Sequence, residues 1–205
     1  MHLGFILDGN GRWAANKSLP RSIGHKKGAE NVEAILKSCK DLGISNVTLY
    51  AFSTENWSRP VFEVKALMKL FHYYLKKKLT MLYQENVKVV IIGNIEPFPM
   101  VIKGYIKNLE ELTKDNDGMV LNLAMNYGGR SEIVRATKEI VKGFSDGLIK
   151  MEDVNEELFA QYLYTKGQND PDLIIRTAGE KRLSNFLIWQ SAYSELLFLE
   201  DLWPD

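Results

Sequence analysis

Cysteine occurs once in 205 residues, at Cys39, so no disulfide can form within the chain and the fold rests on packing. A surplus of one charge is also missing. Twenty-six basic residues match 26 acidic ones, and no global field is available to attract nucleic acid. Any anion site must therefore be built locally, which suits phosphate groups on a small ligand better than a polynucleotide. No apolar run approaches the roughly 20 residues of a membrane span, and the N-terminus has neither a signal peptide nor a basic targeting arm. These absences point to a reducing compartment, in the cytoplasm or at a membrane surface. What is present, 45% hydrophobic and 25% charged residues, suits one globular domain over 1–205 with a sizeable core.

The stretch His2 to Trp13, HLGFILDGNGRW, organises the rest. Leu3 to Leu7 is an apolar run of the length of a buried parallel strand. It ends in Asp8-Gly9-Asn10-Gly11-Arg12: a carboxylate at a strand's carboxyl end, glycines that let backbone approach a ligand, and a guanidinium suited to phosphate oxygens. An acid able to hold a divalent cation beside bare N–H groups and an arginine describes a site for a phosphorylated, metal-bound substrate. A polar Asx-type turn is the alternative.

Arg21 and His25 follow at a four-residue spacing, just ahead of a helical pattern through Ala29, Val32, Ile35, Leu36 and Cys39 that Gly43 stops. Val47 to Phe52 is a second buried strand, giving a βαβ start. Its exit, Ser53 to Pro60, is a polar loop with Ser53, Asn56, an exposed-looking Trp57 and Arg59, placed where parallel sheets bind ligands and suited to a lid. Pro60 opens a long helix whose stripe, Val64, Leu67, Met68, Phe71, Leu75, Leu79 and Leu82, fits a core or the wall of a tunnel for a lipid tail. Further strands are expected at Val87–Ile92, Met119–Met125 and Asp172–Arg176, and helices at Pro97–Leu112, 130–142 and Asn155–Tyr164. The loop after Arg176 adds Arg182 and Ser184, and two guanidiniums with a hydroxyl form an anion receptor in miniature. Glu195 precedes a last apolar run.

Taken together, HLGFILDGNGRWA, RSIGH, LYAFSTENWSRP, NYGGR, DPDLIIRTAGEKRLSNFLIWQ and YSELLF resemble, in order along the chain, the cis-prenyltransferase family and in particular its bacterial undecaprenyl diphosphate synthases. The resemblance implies an α/β fold with a six-stranded, largely parallel sheet flanked by helices, a hydrophobic tunnel and a homodimer. It implies repeated cis condensation of isopentenyl diphosphate onto an allylic diphosphate such as farnesyl diphosphate. The product would be a polyprenyl diphosphate such as undecaprenyl diphosphate, a lipid-carrier precursor for cell-wall polysaccharides that is released at the membrane. On this resemblance Asp8 holds Mg²⁺ and Glu195 is a second Mg²⁺-associated carboxylate. Gly9, Asn10, Gly11, Arg12, Trp13, Arg21 and His25 bind the allylic diphosphate, and Arg176, Arg182 and Ser184 the isopentenyl diphosphate. Ser53 and Asn56 position or relay the proton lost, Phe52, Trp57 and Arg59 form the lid region, and Val64 to Leu82 with the strand around Met119 line the tunnel.

Two departures stand out. The family commonly continues into an arginine-rich tail that completes the partner subunit's site, and nothing follows Trp203-Pro204-Asp205 in this sequence. Thr177-Ala178-Gly179-Glu180 stands where Thr-Gly-Gly-Glu is usual, a mild change by composition. Rival families fit less well. Trans-type prenyl synthases need DDxxD motifs, which are absent, and a haloacid-dehalogenase-like phosphatase needs an aspartate where Asn10 stands. A non-catalytic partner subunit would lack the intact Asp-Gly-Asn-Gly-Arg loop.

Overall fold

The computed structural model describes residues 1–205, the side chain of Leu79 excepted. Six strands form one all-parallel sheet in the order β3-β4-β2-β1-β5-β6. They are β1 His2–Ile6, β2 Asn46–Ser53, β3 Lys88–Ile92, β4 Val120–Tyr127, β5 Leu173–Arg176 and β6 Glu195–Phe198. The helices are α1 Asn10–Asn16, α2 Arg21–Asp41, α3 Val61–Gln84, α4 Met100–Thr113, α5 Gly129–Ser145 and α6 Glu156–Ala160. The first strand is buried along its whole length, as its unbroken apolar run requires when both neighbours and both faces are covered. One face of the sheet packs through Phe5, Leu49, Phe52 and Leu121 against α2, α3 and α4. The other carries Ile6, Tyr50, Ala124 and Ile174 under Phe186 and Leu187.

Three expectations are corrected. The segment after Gly9 is a helix rather than a loop: Gly9 has φ 107°, a left-handed turn that delivers Asn10 directly into α1, whose seven residues are too short to display a period. Arg21 and His25 lie inside α2, in its first two turns, rather than ahead of it. The helix expected over Asn155–Tyr164 ends at Ala160, because the Tyr164 N–H donates to Glu132 at 2.7 Å and the Tyr162 carbonyl accepts from Arg135, which draws the chain out of helical register. The expected place of Leu79 on the α3 stripe lies outside the described residues.

Close packing fixes α1 on α2. A Cβ at Gly24 would stand 1.9 Å from the Asn10 carbonyl oxygen, and one at Gly28 1.9 Å from Asn10 Oδ1, so only glycine permits this approach. At the opposite, amino end of the sheet lies a buried polar knot. His2 Nδ1 is 2.8 Å from the Asn169 carbonyl and must donate to it, which leaves Nε2 to accept from Thr48 Oγ1 at 2.7 Å. Asn122 Nδ2 donates to the same hydroxyl at 3.0 Å. The neutral imidazole is the favoured form, because burial holds the His2 pKa below its ordinary value despite Asn169 and Asp172. The unfolded chain therefore takes up this proton first as pH falls. The stabilisation is complete above about pH 6.5 and is lost as pH drops through the interval below it. His2→Gln should flatten the pH dependence of the urea midpoint below pH 6.5 relative to the wild type; parallel profiles would refute the assignment.

Candidate active site

The carboxyl ends of β1, β2 and β5 adjoin, so their exits form one mouth. Asp8, two residues beyond β1, accepts from the Gly9 N–H at 2.8 Å through Oδ1 and from Arg176 at 2.9 Å through Oδ2. Its carbonyl accepts from Thr177 Oγ1 at 2.6 Å and from the Trp203 N–H at 3.0 Å. Arg176 is 4% exposed and also donates to Ser184 Oγ at 2.8 Å and to the Arg182 carbonyl. The two expected diphosphate sites are thus joined through one ion pair. Ser184, Asn185 and Leu187 all have positive φ, a local strain held by these contacts and by the Asn185 carbonyl, which accepts from the Gly129 N–H at 2.7 Å. The glycine pair 128–129 serves that approach: Cβ atoms there would lie 2.7 Å from Asn185 Nδ2 and from Ile188.

Beneath the mouth a cavity of about 670 Å³ runs between the sheet, α2 and α3. Asp8, Asn10, His25, Ser53, Asn56, Arg59, Arg176 and Ser184 line its polar end; Leu67, Phe71, Leu75, Leu82, Leu121 and Leu123 line its apolar depth. Val64, Met68 and Met119 do not line it; β4 contributes Leu121, Leu123 and Met125, which share a face with Met119, while Met119 itself precedes the strand at the sheet's amino end, away from the mouth. Arg12, Trp13, Arg21 and Arg182 stand outside its wall. Trp13 Nε1 donates to Asp205 at 2.8 Å. Trp57 is packed rather than exposed: its ring lies 5.0 Å from Phe52 and 5.6 Å from Phe98, and its Nε1 donates to Asn126 at 2.8 Å. The expected loop after β2 is a short 3-10 helix over Thr54–Ser58. It is fixed by Asn56 Oδ1, which accepts from the Ser53 N–H at 3.1 Å.

Glu195 is the one expected metal-associated residue that a single chain does not bring to the mouth. It opens β6 in register with Leu173, which pairs with Leu3, so it lies at the amino end of the sheet. Five residues separate that level from Asp8, roughly 16 Å at about 3.3 Å per residue. Within one chain the two carboxylates cannot share an ion.

The description "Putative undecaprenyl diphosphate synthase" belongs to the family model that matches residues 6–205. An isoprenyl transferase of Clostridium perfringens is 52% identical over 204 residues, covering 100% of this chain and 81% of that protein. The chain belongs to the undecaprenyl diphosphate synthase family of prenyltransferases. A Micrococcus luteus protein described as a ditrans,polycis-undecaprenyl-diphosphate synthase, specific for (2E,6E)-farnesyl diphosphate, is 48% identical, covering 100% of this chain and 82% of that one. The crystal structure of lavandulyl diphosphate synthase from Lavandula x intermedia, in complex with dimethylallyl diphosphate, superposes with a TM-score of 0.96 at 35% identity, covering 100% of this chain and 88% of that one.

In this prenyltransferase the sequence reading overlooked two carboxylates. Glu63, in the first turn of α3 and 5% exposed, stands 2.9 Å from Arg59, 3.7 Å from Arg21 and 3.5 Å from His25. Glu180 pairs with Arg12 at 3.7 Å and with Arg182. A glutamate three residues after a proline at a helix start looks like ordinary first-turn chemistry, so nothing in the sequence marked Glu63. Burial and the neighbouring Arg59 push the His25 pKa below its ordinary value, and Glu63 works against them. Glu63→Gln should therefore move the His25 titration further down, as followed by imidazole NMR shifts. An upward or absent movement would show that Glu63 does not govern this cluster.

Proposed function

We propose that the chain transfers isopentenyl units from isopentenyl diphosphate to an allylic diphosphate, farnesyl diphosphate, extending it in cis to undecaprenyl diphosphate. The observation that carries this reading is the single cavity that joins a cationic, carboxylate-bearing mouth to an apolar depth bounded by α2, α3 and the sheet. It matches a substrate with a charged head and a growing hydrocarbon tail. The farnesyl specificity in the Micrococcus protein's name supports the choice of primer, and the dimethylallyl diphosphate bound in the Lavandula structure supports an allylic diphosphate as substrate.

The residues divide the work as follows. The first-turn N–H groups of Asn10, Gly11 and Arg12 have no intrahelical acceptor and, with Arg12, Arg21 and His25, would receive the allylic diphosphate. Arg182 and Ser184, with Arg176 behind them, would take the diphosphate of isopentenyl diphosphate. Asp8 suits Mg²⁺ completed by substrate: among the described residues no three His, Cys, Asp or Glu side chains converge, and Mg²⁺ is commonly held by one or two carboxylates plus substrate phosphates. The ion, when bound, neutralises charge on the departing diphosphate. Ser53 and Asn56, which line the cavity's polar end, would position or relay the proton lost from the isopentenyl unit.

Kinetics separate these roles. Asp8→Asn keeps an acceptor for Arg176 and should lower kcat roughly a hundredfold or more, about 3 kcal/mol in the barrier. Arg182→Ala should raise KM for isopentenyl diphosphate roughly tenfold with kcat kept, from about 1.5 kcal/mol of charged hydrogen bonding. Near-normal kcat in Asp8→Asn would overturn the metal role, and an Arg182 effect confined to farnesyl diphosphate would reverse the two sites.

We also propose a homodimer through β6. This strand ends the sheet, its outer edge has no neighbour among the described residues, and Leu196 and Leu197 are 45% and 41% exposed, with Tyr193 fully so. Two-fold pairing would set the amino end of one β6 beside the carboxyl end of the other, giving Glu195 a route to the second copy's mouth. Sedimentation velocity should give a species of twice 23.4 kDa; a monomer at micromolar concentration would refute the pairing.

A further inference from the structure

Along α3 the side chains facing the cavity step from Leu67 through Phe71 and Leu75 to Leu82, and Lys78 stands in that row, three residues after Leu75 and four before Leu82. Helical periodicity favours an apolar residue there. Glu33 breaks the wall of α2 in the same way, four residues after Ala29 and three before Leu36, both of which line the cavity. Lys78 Nζ lies 2.6 Å from Glu33 Oε1, with the side chains 20% and 39% exposed. Other polar contacts join the two helices: Arg21 and His25 to Glu63, Tyr74 to the Lys26 carbonyl, and Lys40 to Glu85 just past α3. Of these pairs, only Glu33 and Lys78 both line the cavity among the described residues.

Such a closure differs from a leucine contact in how it opens. Parting two leucines exposes apolar surface to water, whereas a partly exposed ion pair parts into two charges that water hydrates, so its net worth is small. Charges in this wall would otherwise be a liability beside a hydrocarbon tail. We propose that the Glu33–Lys78 pair is the latch of a side opening between α2 and α3 through which the tail of a long polyprenyl product leaves the tunnel. The proposal rests on the chain-elongation reading above and adds where the tail goes once it outgrows the cavity.

The test uses labelled isopentenyl diphosphate with farnesyl diphosphate, products being resolved by chain length. Lys78→Glu sets like charges across the seam and should raise the share of products longer than the wild type's main product several-fold. The swap Lys78→Glu with Glu33→Lys should restore the wild-type distribution. The apolar seal Lys78→Met with Glu33→Leu should shift products shorter, and it decides the matter if Lys78→Glu does not fold by circular dichroism. Unchanged distributions in folded variants, or a swap that fails to restore, would overturn the latch. A wild type that incorporates no isopentenyl unit would overturn the elongation reading instead. Binding then decides the latch, using alkyl diphosphates from decyl to eicosyl: the affinity gained per methylene should level off at a longer chain in Lys78→Glu than in the wild type, and coincident profiles would overturn it.

Discussion

A buried guanidinium governs the mouth of this molecule. Arg176 closes β5 in register with Ile6 of β1, almost out of contact with solvent. A charge so placed has to find acceptors, or the fold loses the desolvation energy outright. It finds Asp8 from the neighbouring strand exit and Ser184 with the Arg182 carbonyl from its own loop. Sheet order, loop shape and the position of the acid thus follow from one requirement. The positive φ values of Ser184, Asn185 and Leu187 belong to the same demand, since a relaxed loop would not return a hydroxyl and a carbonyl to the same guanidinium.

The remaining basic side chains of the mouth are also matched in advance, His25 as a largely neutral ring. Glu63 serves Arg21, His25 and Arg59; Glu180 serves Arg12 and Arg182. On the proposed reading, a diphosphate entering this mouth would exchange with carboxylates instead of meeting bare positive charge. That keeps the empty site from repelling itself, and it favours ligands whose oxygens can make paired bonds to a guanidinium fork, which a monovalent anion cannot match. The overall charge balance of the chain, which excluded a global field, has a local counterpart here.

Much of this was legible in the sequence, for identifiable reasons. Buried parallel strands announce themselves as apolar runs that end in polar loops, so β1, β2 and β5 and the residues at their exits are legible together. Short elements are not: α1 carries too few residues for a period, and α6 is cut off by hydrogen bonds to Glu132 and from Arg135, which are distant in sequence. Trp57 looked exposed because its loop is polar, yet its partners Phe52 and Phe98 lie on β2 and ahead of α4. Glu195 was joined to Asp8 by the family resemblance alone, and within one chain Asp8 follows its strand whereas Glu195 begins one. Only the register, which depends on which strands pair, separates those two situations. Glu63 was invisible because its neighbours are assembled by the tertiary fold.

Ala178 shows how far the fixing of Asp8 extends. Its φ of 74° is a left-handed conformation that disfavours any side chain, by about 1 kcal/mol for a methyl group, so a change that is mild by composition is not mild for the backbone. The conformation persists because both flanks are tied: the Ala178 N–H donates to the Asp201 carbonyl at 2.7 Å and the Gly179 N–H to that of Leu199 at 2.8 Å. Those bonds carry the final segment back across the sheet, where Trp203 donates its backbone N–H to Asp8 and its Nε1 to the Gly28 carbonyl at 2.8 Å. Asn31 closes the ring by donating to the Trp203 carbonyl at 2.5 Å. The Asp8 backbone is therefore clamped between β5 and the last residues of the chain while its carboxylate is aimed by Gly9 and Arg176. An acid held this firmly is preorganised for whatever charge the substrate brings, and the strain at Ala178 is one of the terms against which that preorganisation is balanced.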